Sequence, residues 1–394
     1  MKKKKTVRRP YGVRETAAAY GQSSTAKAAT TSLQAEDQKK LMAKVPLWAA
    51  TDGLVYPPRL SLEQCSGEQT ARYKAAIACR LFNGRKWRLV DLTGGYGVDF
   101  SFMGQHADHP VYVERQEELC RIARHNFPLL GLQEAEVVNA DGVAYLKNMA
   151  VADLIFLDPA RRDAAGRKTV LIEDCEPNVV GLLPELLTKA PYAMVKLSPM
   201  LDIHRALASL NEAVPHAVAQ VHVVADGREC KELLLVVGRE KTVRPALFVV
   251  EGDQYFELDF DAEQTAEVSY TSSLETYLYE PGPALMKAGI FKWVAAHFNL
   301  QKLHPNSHLY TSHELLDHFP GRTFRVKGLF SFSKADLKAL KTETQQANLS
   351  VRNFPGTVAE IRKRLKLKEG GTDHIFATTL ADERHRLVLT ERIL

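Results

Sequence analysis

From residue 87 onward, short apolar runs alternate with stretches in which apolar residues recur at helical spacing. The runs 88–92, 110–114, 135–139, 153–157 and 192–197 read as strands, and 97–106, 116–126, 142–149, 179–188 and 201–212 as helices between or after them. Two further apolar runs, around 218–224 and 232–238, follow with no helix between them. Strands regularly separated by helices predict an α/β fold with a doubly wound, Rossmann-like sheet. Upstream, 37–82 is helical in places, through Leu41, Val45, Leu47 and Trp48, and is interrupted at Tyr56-Pro57-Pro58, which predicts a small helical cap. Within it Ser66 or Gly67 is placed to cap a helix starting near Glu68.

Residues 1–35 are polar, basic and rich in Ala, Thr and Ser without apolar periodicity, so they read as a disordered tail. Downstream, alternation returns from Pro245 to Phe260, Glu280-Pro-Gly-Pro283 breaks the chain, and 284–298 is amphipathic. The last segment offers strands at 322–332 and 346–353, a helix at 357–365 and closing strands at 374–380 and 386–391, the pattern of a small α+β module. The expected divisions are therefore 1–35, 36–86, 87–242, 243–320 and 321–394.

The chemistry concentrates where strands end. Leu89-Val-Asp-Leu-Thr-Gly-Gly-Tyr-Gly-Val-Asp99 puts Asp91 at the end of an apolar strand and Thr93, Gly94, Gly95 and Gly97 in the next turn. Glycines there let the main chain approach a ligand closely. A dinucleotide site wants G-x-G-x-x-G, but Val98, Asp99 and Phe100 follow Gly97, so the third glycine is missing and a carboxylate stands where phosphate would gather. The pocket thus prefers a cation, and S-adenosylmethionine carries an ammonium and a sulfonium and no phosphate. Asp91 and Asp99 suit its amino-acid end. Glu114 ends the second strand 23 residues after Asp91, about where an acid meets ribose hydroxyls. Asp141, followed by Gly142, ends the third, placed either for the adenine or as a helix N-cap. Asp158 ends the fourth, in Asp158-Pro-Ala-Arg-Arg162.

These residues, with Leu62-Glu-Gln-Cys-Ser-Gly-Glu-Gln-Thr-Ala-Arg-Tyr-Lys74 and the C-terminal segment, resemble the class I S-adenosylmethionine-dependent methyltransferases of bacteria that carry a THUMP-like C-terminal domain. The resemblance implies an antiparallel closing strand on the sheet, a ferredoxin-like module before the THUMP-like one, and RNA binding. Amino-directed relatives carry Asp or Asn, two prolines and an aromatic here. This chain keeps Asp158 and Pro159 but has Ala160 and Arg161 in the later places, so base stacking on a ring is lost. Arg161 and Arg162 can stack on a base or fork onto a phosphate, or pair with an acid. Methyl transfer asks mainly for orientation and exclusion of water, which leaves Asp158 to position an attacking nitrogen. Lys196 lies inside the apolar run Tyr192–Leu197 and needs either a carboxylate partner or a catalytic use. Glu229-Cys-Lys-Glu232 reads as a charged turn entering a strand.

At 394 residues, 45% hydrophobic and 25% charged, the chain is long enough for two or three domains, and no apolar run approaches the roughly 20 residues that cross a bilayer. Five scattered cysteines without metal spacing point to the cytosol and to no metal site. The net charge of +5 is segregated: residues 1–10 carry +6 and residues 321–394 carry +7, leaving −8 for the remainder. Basic ends on an acidic body suit a polyanion such as RNA. Arg352, before a loop aromatic, and Arg362, Lys363, Arg364 and Lys366, on the final helix, are the candidate RNA contacts. Three functions remain open on sequence alone: methylation of a base in tRNA or rRNA, methylation of a protein or small molecule, and RNA binding without catalysis.

Overall fold

The structure, a computed structural model, describes residues 35–56, 65–161 and 171–393. The basic tail falls outside these residues, as does Arg162. The described residues divide into two compact units, one of 35–226 with 231–248, the other of 227–230 with 249–393.

The first unit is built on parallel strands β1 (Leu89–Asp91), β2 (Val111–Glu114), β3 (Glu136–Asn139), β4 (Leu154–Leu157) and β7 (Tyr192–Leu197). β5 (Ala160–Arg161) and β6 (Cys175–Glu176) pair separately as a two-stranded ribbon. β8 (Val218–Asp226) and β9 (Glu229–Gly238) extend the large sheet, and β9 runs antiparallel to β7, the closing arrangement expected. Within this unit the order is β8-β9-β7-β4-β1-β2-β3, and β10 (Ala246–Glu251) and β11 (Gln254–Asp259) follow β9 in the chain. All four residues of β4 are buried because helices cover both faces. The sequence reverses direction between β1 and β4, so their carboxyl ends diverge into helices on opposite sides and leave a crevice there.

The helices follow from short-range chemistry. In chain order α1 is Ala35–Lys44, α2 Pro46–Ala49, α3 Glu68–Phe82, α4 Val98–Gly104, α5 Glu117–Leu129, α6 Gly142–Asn148, α7 Val179–Lys189 and α8 Ile203–Ala213. Asp141, Asn178 and Asp202 each accept a backbone N–H of the first turn of α6, α7 and α8, which fixes where those helices start. Gly67, rather than Ser66, is the N-cap of α3, and it contributes no side-chain bond.

The second unit holds a seven-stranded sheet in order β13-β14-β12-β15-β18-β17-β16. Its strands are β12 (Tyr277–Pro281), β13 (Gln301–Lys302), β14 (Tyr310–Ser312), β15 (Gly321–Phe330), β16 (Asn348–Arg352), β17 (Asp373–Thr379) and β18 (His385–Arg392). Along β17 the side chains alternate between two cores. Ile375 and Ala377 pack with Leu340, Ile361 and Leu365, while Phe376 packs with Leu278, Leu309 and Phe324. The amphipathic stretch expected over 284–298 is two helices, α10 (Pro283–Ala288) and α11 (Phe291–Phe298), after a single turn, α9 (Ala262–Thr265). Helix α12 (Lys334–Glu343) stands where the apolar pattern marks none, and α13 (Val358–Leu365) stands one residue inside its expected start. The alternation expected from 245 to 260 is realised as β10 and β11. No helix among the described residues is long and apolar enough to cross a membrane.

Glu251, in the second unit, accepts the N–H of Ala284 at 2.7 Å at the start of α10, and burial pushes its carboxyl up to about 7. Gly282 is required there because a Cβ would fall 2.3 Å from that carboxyl carbon. The folded state holds the proton more tightly than the unfolded chain, so this group makes stability fall as pH rises from its unfolded pKa toward 7. Glu251→Gln should remove that fall. Thermal midpoints read from about pH 5 to about pH 8 should shift in the variant's favour with rising pH, and a constant difference would show a carboxylate charged throughout.

Candidate functional site

The crevice outside β1 and β4 is closed by one hydroxyl. The Thr93 N–H donates to Asp91 Oδ1 at 2.9 Å, and Thr93 Oγ1 accepts the N–H of Asp158 at 2.7 Å, which ties the two strand ends together. The glycine turn is then wrapped around aromatic rings. A Cβ on Gly94 would lie 2.3 Å from the Tyr112 ring, and one on Gly97 would lie 2.8 Å from the Phe127 ring. Gly95 and Gly97 also have φ of +56° and +74°, conformations that cost other residues free energy. The Tyr112 hydroxyl donates to the Gly95 carbonyl, and the Gly95 N–H donates to Glu114 Oε2 at 2.9 Å. Glu114 Oε1 accepts the N–H of Gln116 at 2.9 Å.

Thr93, Glu114, Asp141, Gly142 and Asp158 line a cavity of about 250 Å³. Gly142 could not be larger, since a Cβ would fall 2.1 Å from the Leu92 carbonyl oxygen. Asp141 is the helix cap, accepting the Ala144 N–H at 2.9 Å, and it lines the cavity as well. Among the described residues, four carboxylates, Glu114, Asp141, Asp158 and Glu176, line this space with one guanidinium, Arg115, which itself pairs with Glu176 at 3.1 Å. Asp91 lies just behind, 1% exposed. Burial, and then the negative fields of Asp99, Asp158 and Glu114, push its carboxyl well above the usual range although the Thr93 N–H opposes this. Crowded carboxylates fit a positively charged cofactor.

Beneath the cavity runs a buried chain of alternating charges. Lys74 of α3, wholly buried, donates to Glu232 Oε1 and Oε2 at 2.5 and 2.7 Å and stands 3.1 Å from Asp99. Asp99 Oδ2 accepts the Ser66 hydroxyl at 2.7 Å and lies 3.9 Å from Lys196, which reaches Asp158 Oδ2 at 2.5 Å. Burial alone would lower the Lys196 pKa, but Asp158, Asp99 and Glu232 together hold its ammonium well above the ordinary lysine value. Asp158, at the end of the chain, keeps a side chain 39% exposed at the cavity. The carboxylate partner anticipated for Lys196 is thus the residue expected to position the substrate. Asp99, read from the sequence as a cofactor partner, is turned toward Lys74 and Ser66. Pro159 is buried, and Arg161 closes the ribbon with its backbone against Cys175.

Sequence alone gives Lys74 no role beyond its place in the segment that carries the resemblance, and it reads Glu229-Cys-Lys-Glu232 as a charged turn; the structure instead puts these four residues in β9, with Glu232 buried on Lys74. The signal for Lys74 was available: Ala71, Lys74, Ala75 and Ala78 fall on one buried face of α3, and a lysine on an apolar face needs a partner just as Lys196 does. The candidate RNA contacts separate. Arg352 pairs with Glu280 at 2.7 Å, Arg362 lies 3.5 Å from Glu369, and Arg364 sits over the Phe332 ring at 5.1 Å. Lys363 and Lys366 are exposed.

Comparison with known proteins comes from two directions. The sequence profile of a ferredoxin-like domain matches residues 277–320, and that of a THUMP-like domain matches 321–392. A crystal structure described as a "putative methyltransferase from Porphyromonas gingivalis W83" is 39% identical over 91% of this chain and 89% of its own, with a TM-score of 0.79. A SAM-dependent methyltransferase from Agrobacterium tumefaciens is 17% identical over 44% of this chain and 62% of its own, with a TM-score of 0.35. The search of curated proteins found no match.

Lys74→Met should leave Glu232 and Asp99 as buried charges without their ammonium and cost about 3–5 kcal/mol in urea unfolding. Adding Glu232→Leu should recover part of that loss, and a Lys74→Met protein as stable as wild type would mean that the charges are hydrated.

Proposed function

Because the chain belongs to the family of class I S-adenosylmethionine-dependent methyltransferases with ferredoxin-like and THUMP-like C-terminal modules, we propose that it delivers the methyl group to a base in RNA, a tRNA or an rRNA. S-adenosylmethionine, when bound, supplies a methyl group already activated on a sulfonium. The residues of the chain then bind, orient and exclude water. Glu114 is the acceptor for ribose hydroxyls, Asp141 and Gly142 border the adenine, and the turn of Thr93, Gly94, Gly95 and Gly97, with Asp91 behind it, takes the amino-acid end. Asp99 supports the same end from beneath, through its ion pair with Lys74.

The observation that carries the catalytic reading is the Asp158–Lys196 pair at the cavity mouth. An ammonium at 2.5 Å fixes one carboxylate oxygen of Asp158. Its other oxygen is the acceptor for the hydrogen of an attacking amine. Lys196 is a positioning residue, and its high proton affinity rules it out as a base near neutral pH. The RNA reading rests on the THUMP-like profile and on the +7 charge of residues 321–394, with Lys363, Arg364 and Lys366 presented on or just beyond α13.

Transfer of tritiated methyl from S-adenosylmethionine to total RNA, set beside total protein, tests the substrate class: label in protein alone overturns the RNA reading. Asp158→Asn should lower the transfer rate about 10²-fold with little change in cofactor affinity by calorimetry. Glu114→Ala should instead weaken cofactor binding, by about tenfold or more for a charge-assisted hydrogen bond. Unchanged affinity in Glu114→Ala would remove the acid from the cofactor site. Lys363, Arg364 and Lys366 replaced together by Ala should weaken RNA binding and flatten its dependence on salt.

A further inference from the structure

The second unit carries a concentration of charge opposite in sign to the acidic cavity. Glu280 of β12 is buried, and it holds two guanidinium groups at once. Its Oε2 accepts Nε of Arg322 at 2.5 Å, and its Oε1 accepts Nε of Arg352 at 2.8 Å, with Nη2 of each arginine on the same oxygens. The two arginine side chains remain 35% and 36% exposed. One edge of each fork is therefore fixed on the carboxylate; Nη1 of Arg352 donates to the Val351 carbonyl at 2.8 Å, so both guanidinium planes are held in place while each side chain stays about a third exposed.

That outward side is a cleft of about 780 Å³, to which Arg228, Arg392 and Lys287 also contribute. A second hollow of about 730 Å³ shares Arg228, Arg322 and Arg392 and continues over Asn348, Ser350 and His374, with Glu369 as its one acidic residue among those described. Against these basic groups the first cleft sets only Glu280 and Glu251. The positive field reaches His374: burial first, and then Arg322, Arg352 and Arg392, push its imidazole down to about 3. Here several like charges are held together, a costly arrangement that an anion would relieve, and guanidinium forks match phosphate oxygens in geometry. Two hollows joined by three shared arginines suit consecutive phosphates better than one small ion.

We infer that this arginine cleft is a phosphate-binding groove for RNA, separate from the exposed lysines at the end of α13. The identity of the polyanion rests on the RNA reading above, whereas the phosphate chemistry rests on the cleft itself. Arg322 and Arg352 are set in orientation by Glu280, and Arg228 and Arg392, both exposed, widen the field around them.

The test uses the full chain with Arg228→Glu and Arg392→Glu together, which leaves the Glu280 cluster intact, and a fluorescein-labelled RNA of about 20 nucleotides followed by anisotropy over a salt series. Affinity should fall tenfold or more, and the slope of log affinity on log salt should drop by about 2. Binding and slope equal to wild type overturn the cleft. Should the charge reversal disturb folding, read as a lowered thermal midpoint, Arg228→Gln with Arg392→Gln removes the charge without reversing it, and about half the loss is expected. If wild type binds no RNA, the RNA reading fails by itself, and sodium tripolyphosphate decides the cleft. A raised thermal midpoint in wild type but not in the variant supports a phosphate site, and no rise in wild type overturns it.

Discussion

The alternating line Glu232–Lys74–Asp99–Lys196–Asp158 is the interaction on which the rest of the catalytic unit depends. It draws one residue each from β9, α3, α4, β7 and the end of β4, so five elements distant in sequence must be in place before the whole line is neutralised. Buried ions are costly alone and tolerable in company, and a half-formed sheet would strand them. The line thus penalises partial structures more than it lowers the energy of the finished one. It also ends at the one member that reaches the cavity, so a structural device and a chemical group share a terminus.

The glycine turn is a second constraint, of a different kind. Tyr112 and Phe127 fill the space under the loop so completely that Gly94 and Gly97 have no room for a side chain, and the Tyr112 hydroxyl holds the Gly95 carbonyl. The rings set the height of the loop above the sheet, and the Gly95 N–H then sets Glu114. Glu114 is therefore oriented by the same turn that borders the cofactor space, and one aromatic contact beneath the loop governs two sides of the cavity.

Most of the first unit could be read in the chain because its signals are local. Strand Tyr192–Leu197 has its expected ends, and β1 to β4 fall within one residue of theirs, since each apolar run is bounded by a charged or turn residue. Asp141 and Glu114 were legible because an acid after a parallel strand has few places to go. Lys74 and Glu232 were not, because their meaning lies in each other across 158 residues, and no spacing rule connects them. Helix α12 escaped notice because only Leu337 and Leu340 of its ten residues pack against the core, while its start is marked by a Ser333 cap rather than by periodicity. The Glu280 cluster was hidden likewise. Arg352 read as a surface contact, and its carboxylate partner, 72 residues away, lay in a segment read only as a chain break.

The seven-stranded sheet crosses the boundary between the two matched profiles without interruption: β12, from the ferredoxin-like segment, pairs antiparallel with β15, the first strand of the THUMP-like one, from Tyr277–Arg325 to Pro281–Gly321. A chain cut at this seam would leave β15 as an open edge, with unsatisfied backbone groups and Phe324 stripped of Leu278, a template for self-association. The two segments that separate profiles match thus share one continuous sheet.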